Sequence, residues 1–269
     1  MPLILIILVG LLLANSAVLL EAGEKISLSS HKGMVLIPSG SFQMGAEDNQ
    51  GYKACVAYNE TCKEKWFNDE NPIHQVKLDA FHIDTHEITQ EKFKRVMGEN
   101  PSEFEGANLP VENVTWHQAK EYCKKSGKRL PTEAEWERAA RGKTNSVFWW
   151  GDKAESGKAN FCDAQCEKGW KVKSLNDGFS STAPVGSFSP NSFGLFDMAG
   201  NVYEWVNDWH DEDYYANSPK ENPQGPTSGK KKVMRGGSWI NYPTGTRPAD
   251  RTDSKPNSSM DFVGFRCVK

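Results

Sequence analysis

Six cysteines are the first residues in this chain whose type and spacing could do chemistry: Cys55, Cys62, Cys123, Cys162, Cys166 and Cys267. A thiol can act as a nucleophile, bind a soft metal or form half of a disulfide. Cys162-x3-Cys166 has no second close Cys or His pair to complete a zinc set, so disulfides fit better. Six cysteines allow fifteen complete pairings. The short separations of Cys55/Cys62 and Cys162/Cys166 suit local bridges, and Cys123 with Cys267 would then tie a mid-chain helix to the C-terminal strand. Closing so long a loop constrains the unfolded chain by about 4–5 kcal/mol in the entropy model.

Two further constellations hold potential ligands. His82-Ile83-Asp84-Thr85-His86 would put two imidazoles and a carboxylate on one face of a strand, although a helix start at Thr89 leaves little strand beyond His86. Asn160, Asp177, Asp197 and Glu204 are oxygen donors in bent, Gly-flanked sequence, the type that hard cations such as calcium require; ordinary Asx turns compete with that reading, and there is no EF-hand spacing. No Gly-x-Ser-x-Gly elbow and no phosphate-binding Gly motif occurs. The stretch from Val233 to Val268 has apolar ends enclosing a long polar excursion of irregular pattern, which marks a functional loop.

The elements that would position these residues follow from pattern. Met34–Pro38 and Ser41–Gly45 flank a Ser39-Gly40 turn, a hairpin signature, and residues 75–83 alternate as a half-buried strand. Ala46–Asn71 is polar and predicts a surface loop stapled by Cys55 and Cys62. Thr89 predicts a helix with Phe93, Val96 and Met97 inward, ended by Gly98. Thr115 opens a second with Trp116, Ala119 and Cys123 on one face, stopped at Gly127. Thr132 with Glu135 is a capping box for a third, bearing Trp136, Ala139 and Ala140 and ending at Gly142. Beyond Trp149 short apolar pieces alternate with turns, so one α+β domain of low regular structure is expected over 32–269.

A net charge of −3 and a pI near 6.1 give no basic footprint for nucleic acid. Leu3–Leu20 is almost wholly apolar with small residues after it, which predicts a signal peptide or N-terminal anchor over 1–22 and a linker over 23–31. The expected location is therefore periplasmic or secreted, with membrane attachment only where the segment stays uncleaved.

Five ordered motifs resemble one family. They are Gly33–Gly45; Leu109-Pro110-Val111-Glu112-Asn113-Val114-Thr115-Trp116; Lys128-Arg129-Leu130-Pro131-Thr132-Glu133-Ala134-Glu135-Trp136-Glu137; Phe193–Trp205; and Arg235-Gly236-Gly237-Ser238-Trp239 with Gly264-Phe265-Arg266-Cys267. In these the chain is similar to the formylglycine-generating enzyme, or sulfatase-modifying factor, family over about residues 32–269. The resemblance implies a single compact domain related to the C-type lectin fold. It also implies two structural calcium sites: Asn160 and Asp177 with the Phe161 and Phe179 carbonyls, and Asp197 and Glu204 with the Gly200 and Val202 carbonyls. It places the family's long-range disulfide on Cys123 and Cys267.

The family's enzymes oxidise a sulfatase cysteine to formylglycine with a copper(I)-binding cysteine pair in the loop after Arg-Gly-Gly-Ser-Trp. Here those positions fall on Asn241 and near Thr246, and no cysteine lies between Cys166 and Cys267, so copper is not expected. The iron-dependent sulfoxide synthases of the family use His-x3-His-x-Glu in an extra helical domain; here Glu87 directly follows His86 and that domain is absent. What remains resembles an exported branch without the cysteine pair, which includes periplasmic siderophore-maturation proteins, gliding-motility components, the silent paralogue and lectin-like receptors. The expected function is a calcium-stabilised binding or accessory protein, presenting Tyr242, Arg247, Asp250, Arg251 and Asp253 to a peptide, glycan or protein partner. A cysteine-independent oxidoreductase is the alternative, and formylglycine generation comes third.

Overall fold

The computed structural model describes residues 31–269, so the expected signal or anchor lies outside the described residues, as does the linker apart from His31. The first turn is a corner, not a hairpin. β1 (Met34–Ile37) and β2 (Gly40–Met44) do not pair with each other: β1 pairs antiparallel with β4 (Phe81–Asp84) and β2 with β3 (His74–Leu78). The register runs unbroken, with Ile37 opposite Phe81 and Gly40 opposite Leu78, so the two pairs form one bent ribbon. Arg138 accounts for the bend. Its guanidinium donates to the carbonyls of Pro38 and Gly40, which the corner turns away from the ladder.

Residues 46–71, expected as a surface loop, carry α1 (Gln50–Val56) and a 3-10 turn over Glu64–Glu70, with the Cys55–Cys62 disulfide in place. Phe67 and Glu70 are buried. The polar composition hid this because Glu70 goes inside only as the partner of Arg247, far along the chain.

The three capped helices form where expected. α2 (Gln90–Met97) is capped by Thr89 and ends at Gly98; α3 (Trp116–Lys125) and α4 (Glu133–Arg141) open with complete capping boxes, Thr115 with Gln118 and Thr132 with Glu135. In each box two helix-end N–H groups find acceptors, which is why threonine at these sites starts a helix. α4 is buried on every side. A helix this charged enters a core with most of its charges paired; Arg138 is the exception and bonds only to backbone carbonyls. Arg235 bridges Glu133 and Glu137, Arg141 pairs with Glu137, and Trp136 donates to Glu204.

The second half folds as β5 (Tyr203–Trp209), the short α5 (Tyr214–Asn217), β6 (Lys232–Arg235), β7 (Thr252–Ser254) and β8 (Val263–Gly264), in sheet order β7-β6-β5-β8. The excursion between the apolar ends thus holds a 3-10 turn over Pro243–Thr246 and a strand, and is less irregular than its pattern predicts. Two apolar cores flank the sheet. One joins Ile37, Val76, Ile83 and Trp136 to Val206 and Val233; the other joins Phe93, Trp116 and Cys123 to Trp205 and Phe265. The result is the expected single α+β domain with short elements and long connections.

Candidate functional site

After β6 the backbone turns through Gly236 and Gly237 at positive φ. A Cβ on Gly237 would lie 2.4 Å from the Gly245 carbonyl oxygen, and one on Gly236 2.9 Å from the Trp136 ring. Only glycine lets the loop close on itself here. The closure builds a polar chain: Ser238 Oγ donates to Asn241 Oδ1 at 2.6 Å, and Asn241 Nδ2 donates to Tyr203 Oη at 3.1 Å. Burial pushes the Tyr203 hydroxyl up, so it stays protonated. Thr246 is fully buried and donates to the Pro243 carbonyl at 2.7 Å. Positions 241 and 246 therefore hold a fixed amide and a fixed hydroxyl. Such a chain can bind and orient a polar group, and it offers no thiolate to a soft metal.

All six cysteines are in disulfides, Cys55–Cys62, Cys123–Cys267 and Cys162–Cys166, and none is free. The last bridge sits against the loop, since the Cys162 N–H donates to the Asn241 carbonyl at 2.8 Å. Its segment supplies neighbours that sequence reasoning missed. Trp170 is 46% exposed and donates to the Ile240 carbonyl, and Lys168 stands over the Trp239 ring. With half-buried Tyr242 they form an aromatic and cationic rim.

Glu112 was also missed, because it lies in a motif that resembles only a helix entry. It is buried behind the rim: Oε1 accepts from the N–H of Phe104, whose ring meets Trp239 edge-on, while Oε2 has no hydrogen-bond partner. Burial pushes its carboxyl from 4.5 up to about 7. The fold therefore keeps a proton that the unfolded chain releases. The stability this contributes is complete below about pH 4.5 and is lost as pH rises through 7, by at most about 1.4 kcal/mol per unit. Melting temperature measured from pH 4.5 to 8 should fall, and Glu112→Gln should flatten the profile; identical slopes would remove Glu112 as the cause.

The structure corrects the expected ligand loop. Arg247 is fully buried and donates to both oxygens of Glu70 at 2.5 and 2.8 Å, with Asp250 at 3.4 Å. Arg251 is buried and grips Glu133 with two bonds of 2.7 and 3.0 Å. Asp253 pairs with Lys231 and His210. These charges close the loop internally instead of facing a partner, because a buried guanidinium needs a carboxylate in place. Of that set, Tyr242 remains on the rim.

The oxygen donors differ between the two sets. Asn160 Nδ2 donates to the Ser181 carbonyl and to Asn201 Oδ1, which leaves Asn160 Oδ1 buried without a hydrogen-bond partner. Asp177 accepts the N–H groups of Phe161 and Phe179, one on each oxygen, and keeps lone pairs to spare; burial pushes it up to about 6. An orphaned amide oxygen near a carboxylate fits a hard cation. In the other set Asp197 Oδ1 is likewise buried and unpartnered, but Glu204 is already taken. Arg266 donates to both of its oxygens at 2.7 to 2.9 Å, and Trp136 Nε1 adds a bond at 2.8 Å. Glu204 so occupied does not fit a cation. Glu87, another residue missed, is buried beside it and accepts from Asn201 and the Val202 N–H.

The His82–His86 face does not assemble. His86 stacks on Phe196 at 4.6 Å, and Asp84 pairs with Lys128 at 2.5 Å and accepts the Cys267 N–H. Among the described residues no three His, Cys, Asp or Glu side chains converge as a metal-binding group, and no helix is long and apolar enough to cross a membrane.

Comparison with known proteins places this geometry in context. The family model described as "Sulfatase-modifying factor enzyme 1-like domain" matches residues 21–269. The formylglycine-generating enzyme of Streptomyces coelicolor is 34% identical over 92% of this chain and 92% of its own. Among solved structures, Treponema denticola variable protein 1 matches with a TM-score of 0.71 at 29% identity, covering 87% of this chain and 94% of that one. PvdO from Pseudomonas aeruginosa matches with a TM-score of 0.70 at 28% identity, covering 87% and 93%.

Proposed function

This chain belongs to the sulfatase-modifying factor family, and from that premise we propose that it is a calcium-stabilised binding or accessory protein, acting outside the cytoplasm on a peptide, glycan or protein partner. One observation carries the reading. Copper(I) oxidase chemistry needs thiolates, and here the loop offers Asn241 and Thr246, each fixed by hydrogen bonds, while every cysteine is spent on a disulfide. The partner face is the rim of Trp170, Lys168 and Tyr242 around Asn241. Three disulfides suit an oxidising compartment, in line with the apolar N-terminal sequence.

Calcium would be held by Asn160 and Asp177 with the Phe161 and Phe179 carbonyls. Its contribution there is structural, pinning the segment that carries the Cys162–Cys166 bridge against the loop. The competing reading is a cysteine-independent oxidoreductase of the same family, kept open by the similarity to a formylglycine-generating enzyme. Against it, Arg247 and Arg251, the groups that would position a substrate carboxylate, are locked in ion pairs.

Purified protein tests this directly. Calcium at a hundredfold excess over its dissociation constant should stabilise the fold by about 2.7 kcal/mol, Asn160→Ala should abolish the gain, and a cysteine-bearing sulfatase peptide should emerge without an aldehyde. Aldehyde formation with retained copper would falsify the binding-protein reading.

A further inference from the structure

A hollow of about 470 Å³ lies between β2 and the C-terminal end of α4, on residues that the rim does not use. It is lined by Ser41, Phe42, Gln43, Gln75, Arg138 and Lys143, among others, and a second hollow of about 270 Å³ adjoins it through Gln43, Arg141 and Asn145. The first hollow has three cations on its wall, Arg138, Arg141 and Lys143, and no carboxylate. Arg141 is neutralised by Glu137. Arg138 is not. Only 8% exposed, it donates to the carbonyls of Pro38 and Gly40, and its Nε is buried without a partner. Among the described residues no ion pair involves Arg138 or Lys143. Burial without a counter-charge is costly for a guanidinium, and desolvation alone holds the Arg138 pKa below its usual value.

The rest of the wall narrows the ligand. Phe42 and Phe193 are half-buried and offer aromatic surface, while Gln43, Gln75 and Asn145 are exposed amides. Aromatic surface for C–H faces, amides for hydroxyls and an uncompensated cation pair form a set that suits a sugar ring bearing an acid group. A peptide carboxylate would use the same cations; what favours the sugar is that its closely spaced hydroxyls and its C–H face match the amides and the phenylalanine rings together.

We infer that this hollow is a second binding site, separate from the rim, for a monosaccharide unit that carries a carboxylate or sulfate. The cations take the acid group, and the amides and phenylalanine faces take the ring.

The test is a titration of the purified protein with glucuronate, glucose 6-sulfate, glucose and triglutamate, followed by NMR on the Gln43 and Gln75 side-chain amides. Both acidic sugars should shift these signals and bind about tenfold more tightly than glucose, the loss expected for one charge-assisted contact. Lys143→Glu, an exposed change, should weaken them by about the same factor while leaving the melting temperature in place. Arg138→Gln should do so too; as Arg138 also holds the strand corner, its result counts only where the fold persists, and Lys143→Glu decides otherwise. Equal binding of glucose and glucuronate, absence of binding by either acidic sugar, indifference to Lys143→Glu, or tighter binding of triglutamate would each overturn the assignment.

Discussion

Arg247→Leu will lower stability by about 3–5 kcal/mol, the usual cost of stripping one partner from a buried ion pair. For a chain of this size that corresponds to a fall in melting temperature of about 10 °C. Arg247 is the only cation paired with Glu70 among the described residues, and both side chains are almost wholly shielded from solvent. Without the guanidinium, a carboxylate stays in a dry site packed under α1. The packing around it is close, since a Cβ on Gly51 would already lie 2.5 Å from the Phe67 ring. The pair fastens the segment of residues 46–71 to the C-terminal excursion, so its loss should loosen both together. Replacing both partners, Arg247→Leu with Glu70→Leu, removes the stranded charge and should recover a large share of the loss. Chemical denaturation of the two single variants and the double variant measures this. A ligand-contact role for Arg247 predicts the opposite pattern: unchanged stability with lost partner binding.

That contrast shows where sequence reasoning succeeds on this chain and where it stops. Thr89, Thr115 and Thr132 announced their helices because a cap is local: donor and acceptor lie within one turn. The ribbon of β1 to β4 was half legible. Alternation found the apolar positions but read residues 75–83 as one strand, where the chain turns at Asp79 and Ala80 between β3 and β4; that division, and the choice of partners, depend on the corner that Arg138 holds from a hundred residues away. Charges were the least legible. Arg247, Arg251 and Glu70 resemble solvated loop residues, and they differ only in having a counter-charge brought to them by distant chain. The loop after Arg235 was identified by its motif, whereas Trp170 and Lys168 join it through space from a segment with no motif of its own, and Glu112 from a motif that reads only as a helix entry. Glu112 and Trp170 could have been found only by asking which buried carboxyl and which exposed aromatic lacked an assigned neighbour.

Removing the long-range disulfide should cost more than removing either local one. Cys123 and Cys267 stand 144 residues apart, against 7 for Cys55 and Cys62. Chain entropy alone assigns about 5 kcal/mol to the long bridge and about 2.5 kcal/mol to the short one. The native contacts favour the same order. Both long-range cysteines are fully buried, on the inward face of α3 and in the C-terminal strand region beside Phe93 and Phe265, so Cys123→Ala with Cys267→Ala also leaves a small void. Cys267 has a second consequence, for its neighbour Arg266 holds Glu204 under α4. Releasing the chain end should therefore loosen that buried pair as well as unfold the protein at lower denaturant. Unfolding free energies from guanidinium denaturation of the two double variants, each compared with the parent, should differ by about 2.5 kcal/mol or more in the stated order. Equal losses would mean that the bridge acts through native packing and not through the unfolded chain. In that case the C-terminal strand would be held chiefly by its pairing with Arg129 and His82, and the disulfide would only lock a contact already made.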